Sequence, residues 1–190
     1  MQKPTRVAQN SLFNSKQGLD RGASKSVEIL WNITKCLIFL SPFPWPSRIK
    51  ASLLRKFGAK VGKGLYIRPR VNIHFPWKLE IGDNCWIGDS CEFLNLEKIV
   101  MCDSVALAHE VYLAAGSHKI NSESMAYDNK PILINSNTWV ATRAFIGPGV
   151  TIGSNCVVAA CSVVVKDVAD NSIVAGNPAR LIRQREITED

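Results

Sequence analysis

The sequence runs to 190 residues, enough for one ordinary domain with a tail and short for two. Its 46% apolar content excludes wholesale disorder, and no apolar run approaches the roughly 20 residues that cross a bilayer. The formal net charge of +7 is lopsided, because residues 1–70 hold 14 Lys and Arg against 2 acids while residues 71–190 hold 9 against 14.

Residues 1–26 are polar, rich in Ser, Gly and Asn and without apolar periodicity, which predicts a mobile arm. Residues 27–40 (VEILWNITKCLIFL) are apolar with Glu28 and Lys35 as their only charges, and the Pro-rich run 41–46 stops them. Such a stretch is too short to span a membrane. Two readings of the segment 27–60 stand side by side. One is a helical element laid on the main domain. The other is an interfacial anchor over 27–56, with Trp31, Phe39, Phe43 and Trp45 at headgroup level and Lys35, Arg48, Lys50, Arg55 and Lys56 against anionic lipid. The cysteines, at 36, 85, 91, 102, 156 and 161, form no CxxC pair, and the N-terminus lacks the pattern of a cleaved signal, which fits a reducing cytoplasm.

From Val61 onward, β-branched residues recur every six positions. The register runs 61, 67 and 73, then 81 to 117 in steps of six, and after a longer break 134 to 164 in steps of six. Fourteen of these sixteen positions are Val or Ile, where their share of the chain would supply about three. A period of six matches neither helix nor ordinary strand. It suits a coil with flat faces of six residues, three faces to a turn, stacked at strand spacing so that the repeat residues form one apolar core. Gly follows the repeat residue at 62, 82, 88, 147 and 153, and Asn stands three places after it at 84, 137 and 155, both types suited to the backbone angles of a sharp corner. Small residues four places on, including Cys85, Cys91 and Cys156, read as inward packing groups. The coil is expected over 61–173, with a loop at 119–131 and a C-terminal segment at 174–190.

Hexads of the form [VI]-G-x-x-[small]-x closely resemble the hexapeptide-repeat acyltransferases. Within them, His118 in AAGSHKI, the loop ending at Pro131, the run TWVATRAFIGPGVTIG at 138–153 and the tail VVKDVADNSIVAGNPARLIR at 164–183 resemble the galactoside, maltose and nodulation-factor O-acetyltransferases. The stretch FPWKLEIGDNCWIGDSCEFLNLEKI and the upstream RIKASLLRKFGAKVG are similar to the colanic-acid type. The resemblance implies an all-β, left-handed parallel β-helix with a protruding loop, an N-terminal helical segment and a short C-terminal helix. It also implies acetyl-CoA as co-substrate, held in a groove between two subunits of a homotrimer. Carried over position by position, Thr142 and Ala160 would meet the pantetheine arm. Val165 and Lys166 match a Thr-Lys pair, and Arg180 and Arg183 match residues at the coenzyme phosphates, where guanidinium suits a dianion. Trp139 is expected at the groove wall.

His118 also draws notice on residue logic, since it lies where the hexad register breaks, at the mouth of the only long insertion. An imidazole there can take the proton of a sugar hydroxyl as the oxygen attacks a thioester. The galactoside enzymes' acceptor-binding Asn and Asp fall here at Gly88 and Leu96, which cannot hold sugar. Asn95 is the acceptor contact that the colanic-acid type suggests, and Lys119 replaces an Asp beside the histidine. The expected acceptor is a sugar, nucleotide sugar or lipid-linked oligosaccharide of surface-polysaccharide synthesis, in the cytoplasm or at the membrane's inner face, with no metal and no nucleic acid. Three rival readings remain. A metal hydratase like the γ-class carbonic anhydrases would use His74, His109 and His118. The basic N-terminal third would serve a nucleic-acid binder, and an inactive scaffold would bind no coenzyme.

Overall fold

The computed structural model describes residues 10–15 and 17–188. From Lys60 to Val164 the strands are only two or three residues long, which leaves no length for hairpins, so each pairs in parallel with the strand one coil later. The result is a three-faced solenoid whose sheets hold five, seven and five strands. The first face stacks Val61, Ile81, Met101, Ile134 and Ile152. The second stacks Ile67, Ile87, Leu107, Val140, Val158 and Val174, and the third Ile73, Phe93, Leu113, Ile146 and Val164. Beyond Val61, these stacks are buried and form one continuous core.

The third coil departs from the expected register. A strict hexad places Ile99, Val105 and Val111 in the stacks, but Met101, Leu107 and Leu113 stand there. A second two-residue extension, at 95–98, repeats the one at 75–78 and shifts the coil. Ile99, Val105 and Val111 are buried too, over Leu79, Cys85 and Cys91 of the coil below. The Cys85 thiol donates to Cys102 O and the Cys91 thiol to Ala108 O, both at 3.0 Å, and burial pushes the Cys91 thiol up to about 12.

Corner chemistry differs from expectation in one respect. The third residue after a repeat position takes the left-handed conformation, as at Asn84 (φ 55°), Asn137 (61°) and Asn155 (57°). The glycines directly after the repeat residue do not have positive φ at 82 or 153. They are needed because the next coil's backbone and the Asp103 or Asp170 carboxylate lie where a Cβ would project. Those carboxylates accept from Asp83 N and Ser154 N at 2.7 Å, tying coil to coil.

Two helices close the N-terminal end. Ser24 caps α1 (Lys25–Thr34), and a π-turn over Lys35–Phe39 follows it. The three prolines at 42, 44 and 46 lead into α2 (Ser47–Lys56), which ends at Gly58 with φ 90°. Trp31, Phe39, Ala51 and Leu54 are buried against the first coil, and the Trp31 indole donates to Ile73 O at 3.0 Å and His74 O at 3.1 Å. Three of the residues placed at lipid in the anchor reading, Trp31, Phe39 and Lys50, therefore face the protein. Lys50 is fully buried, donates to Arg68 O at 2.8 Å, and has its pKa lowered by that burial. Arg55 donates to Val61 O and Gly62 O, and Arg68 pairs with Asp89, so several N-terminal cations are held within the fold. No helix among the described residues is long and apolar enough to cross a membrane.

Residues 1–9 of the expected arm lie outside the described residues. Further on, the arm runs along the solenoid: Arg21 O accepts from the Trp77 indole at 2.6 Å, Asp20 O accepts from Lys78, and the Arg21 guanidinium pairs with Glu28. The C-terminal segment is also a correction. In place of a short helix, Ser172–Gly176 adds to the second face and Ala179–Gln184 returns antiparallel to it through the turn Asn177–Pro178.

His74 gives a pH signature. Burial first, then nearby Lys35 and Arg21, hold its pKa below the ordinary 6.5, against a smaller opposing pull from Glu28. The unfolded chain therefore binds the extra proton, so stability is complete above about pH 6.5 and declines as pH falls below it. Glu28, held below its ordinary 4.5 by Arg21, adds a further loss only below that value. Urea midpoints measured from pH 8 to 4 should fall in these two phases, and His74→Gln should remove the first.

Candidate active site

All the irregularities of the coil stack on the edge between the third and first faces. From the N-terminal end these are Phe75–Lys78, Asn95–Lys98, a long excursion after Ala115 and the shortened step at Lys166–Asp167. The chain needs 33 residues to step from Met101 to its stacked neighbour Ile134, against 18 to the next, Ile152. The loop is tied at its base, where Lys130 N donates to Ala115 O at 3.0 Å and Asp128 N to Ser117 O at 2.8 Å. Ser117 N in turn donates to Asn129 Oδ1 at 3.1 Å.

His118 opens this loop and pairs antiparallel with Tyr127. Its ring stacks on Tyr127 with centroids 5.1 Å apart, and Phe13 from the arm meets both rings edge-on at 5.2 and 5.3 Å. The nitrogen Nδ1 lies 2.6 Å from Met125 O. A carbonyl can only accept, so Nδ1 is the donor and, in the neutral ring, the lone pair is on Nε2. Met125 turns its carbonyl inward from a left-handed conformation with φ 48°. The imidazole is exposed on a hollow of about 490 Å³ lined also by Ser117, Lys119, Asn121 and Asp128. Met125, Tyr127 and Phe13 had no signal in the sequence, because a backbone oxygen and two aromatic neighbours follow no spacing rule.

The residues matched to the coenzyme fall into two groups. Lys166 and Arg180 line one hollow of about 350 Å³ at the C-terminal end of the coil, together with Asp167, Ser172 and Gln184. The two cations fit the phosphates of a nucleotide. Arg183 lies on the same strand as Arg180 but does not line this hollow, and Val165 stands exposed beside it. Thr142 and Ala160 stack on a different edge, between the second and third faces, where Thr142 O accepts from Cys161 N at 2.9 Å. Trp139 is half-exposed on the second face between Ala106 and Val157. Within one chain, therefore, His118 and the pair Thr142 and Ala160 occupy separate edges.

Asn95 does not line the His118 hollow. It is fully buried, with Oδ1 accepting from Phe75 N at 2.9 Å and Nδ2 donating to Phe75 O. Its amide holds the first extension in place. Asn95→Ala is expected to cost about 1–3 kcal/mol in urea unfolding, by leaving buried peptide groups unpaired, while the KM for acceptor stays unchanged. A raised acceptor KM with intact stability would restore it as a sugar contact.

The three histidines have separate partners: His74 packs on Phe75, His109 Nδ1 accepts from Asp89 N at 3.1 Å at a corner, and His118 holds Met125. Among the described residues no group of three or more His, Cys, Asp or Glu side chains comes together.

The family described as bacterial transferase hexapeptide (six repeats) matches residues 131–166. Over 180 residues, 93% of this chain and 97% of the relative, the sequence is 38% identical to the protein of Escherichia coli (strain K12) named as the colanic acid biosynthesis acetyltransferase WcaF. It is 30% identical over 155 residues, 79% of this chain and 76% of the relative, to the galactoside O-acetyltransferase of the same organism. The structure of a hexapeptide-repeat acetyltransferase of Vibrio cholerae complexed with acetyl-CoA superposes with a TM-score of 0.78 at 27% identity, covering 87% of this chain and 92% of that one. With its parallel three-faced coil, this chain is a left-handed β-helix protein of the hexapeptide-repeat acetyltransferases.

Proposed function

We propose that this enzyme transfers acetyl from acetyl-CoA to a sugar hydroxyl in surface-polysaccharide synthesis, with His118 as general base. The observation that carries the reading is the His118–Met125 hydrogen bond, which leaves Nε2 free to accept a proton at the hollow. In this mechanism Nε2 takes the hydroxyl proton as the oxygen attacks the thioester carbonyl carbon. The tetrahedral intermediate collapses with cleavage of the C–S bond, and the imidazolium returns its proton to the departing thiolate. The products are an O-acetyl ester and CoA. A backbone N–H at or beside Thr142 is the candidate donor to the oxyanion.

Because His118 and the pair Thr142 and Ala160 lie on different edges of one chain, a complete site in this reading is built between neighbouring subunits. A homotrimer working in the cytoplasm supplies that arrangement by closed rotational symmetry. The acceptor is a sugar, a nucleotide sugar or a lipid-linked oligosaccharide; the relative named for colanic acid biosynthesis supports this class. Thioester cleavage screened against a panel of these three kinds of acceptor tests the reading, and hydrolysis unaffected by every sugar would overturn it. Lys166 and Arg180 are expected to serve the coenzyme phosphates, with Arg183 and Val165 nearby and Trp139 at the groove wall. Replacing Lys166 and Arg180 together by Gln should raise the KM for acetyl-CoA at least about tenfold and leave kcat within about threefold, on the scale of lost charge-assisted hydrogen bonds. An unchanged KM would remove them from the donor site.

A further inference from the structure

Helix α1 and its π-turn are apolar on both sides. The inner side, Trp31 and Phe39, is buried on the first coil. The outer side leaves Ile29, Leu30, Ile33, Leu37 and Leu40 between 36% and 64% exposed, with Phe43 beyond them at 57%. Positions 29, 33, 37 and 40 follow the three-and-four spacing of one helix face, so these side chains form a single stripe. A stripe of this kind on an otherwise covered helix marks a surface that meets something apolar.

The charges around it point to the partner. Between Arg21 and Leu79 the only acid is Glu28, which is buried and paired with Arg21. The same segment carries the exposed cations Lys25, Arg48 and Lys56 and no exposed carboxylate. Two copies of this face meeting symmetrically would bring cation against cation. An anionic bilayer satisfies both features, taking up the aliphatic stripe at the acyl boundary and the cations at the headgroups. We infer that α1 and the Pro-rich turn after it dock this enzyme on an anionic lipid surface, with the outer stripe inserted and the inner stripe holding the coil.

A hollow of about 500 Å³ adds a second observation. It is lined by Lys25, Ile29 and Asn32 of α1, by Arg21 of the arm, and by Tyr127, whose ring stacks on His118. The docking face is thus continuous with the loop of the candidate base. This extension rests on the role assigned to His118: an acceptor carried on a membrane lipid would reach the imidazole through this hollow.

The test uses the full chain and sedimentation with vesicles of phosphatidylcholine alone or with 30% phosphatidylglycerol, at about 0.1 M salt. The native protein should pellet with the anionic vesicles at least tenfold more strongly than with neutral ones. Ile33→Glu with Leu37→Glu, both at exposed positions, should abolish pelleting and keep the native urea midpoint and native turnover of a water-soluble sugar acceptor. Lys25→Gln with Arg48→Gln should lose the preference for the anionic vesicles. Native protein that stays in the supernatant overturns the inference, as does equal pelleting of the Glu variant. A Glu variant that loses oligomer mass by light scattering, with no vesicle binding by the native chain, would assign the stripe to a second copy instead. Vesicle binding is read without acetyl transfer, so its failure is separable from failure of the role given to His118.

Discussion

Replacing His118 by Ala is expected to lower kcat at least about a hundredfold, on the scale of a lost general base, while the dissociation constant for CoA stays within about twofold. The split follows from placement: the ring lines the loop hollow, and the cations suited to phosphate line a separate one at the C-terminal end. Met125 supplies a companion test, since only its backbone oxygen orients the imidazole. Met125→Gly, at ease with φ near 48°, should keep most of the rate. Met125→Pro cannot adopt that φ, and it also removes the N–H that Ser122 O accepts at 3.2 Å, so the rate should fall toward that of the Ala variant. Single-turnover thioester cleavage with and without acceptor reads these differences. Near-normal turnover by His118→Ala would remove the mechanism.

Trp31→Ala should be the most damaging single change to stability, about 3–5 kcal/mol by urea unfolding, the range for deleting a large buried aromatic. The indole is 1% exposed and meets Phe39 and Phe57 edge-on at 5.1 and 5.2 Å. It closes the end of the core, where the first coil has no coil beneath it. Trp31→Phe keeps most of the packing and loses only the donor to Ile73 O and His74 O, so its cost should stay near 1 kcal/mol. A loss below 1 kcal/mol for the Ala variant would show that α1 is not part of the folding unit.

The six-residue rhythm was legible because stacked Val and Ile repeat at a spacing that neither a helix nor an ordinary strand produces, and the corner Asn residues mark the turns. The third coil misled for a physical reason: Ile99 and Met101, Val105 and Leu107, and Val111 and Leu113 are apolar pairs two residues apart, and both members point inward. Periodicity alone cannot tell which member continues the stack. The C-terminal hairpin escaped for a related reason, since the resemblance suggested a helix while the parallel pairing of Val174 with Val158 draws the segment onto the second face. His118 was visible from the broken register. Its orienting partner was not, because the acceptor belongs to the backbone of Met125 and any residue there has one. Asn95 shows the converse, since an amide that could grip a sugar hydroxyl grips the Phe75 peptide equally well.

Every lengthening of the chain leaves and rejoins at one corner, and the longest is cinched at its root by Lys130 and Ala115. The stacked core beneath is indifferent to what hangs there. Swapping the hanging segment between Gly116 and Asn129 should therefore exchange acceptor preference between relatives as a cassette, leaving donor use and folding to the scaffold that carries it.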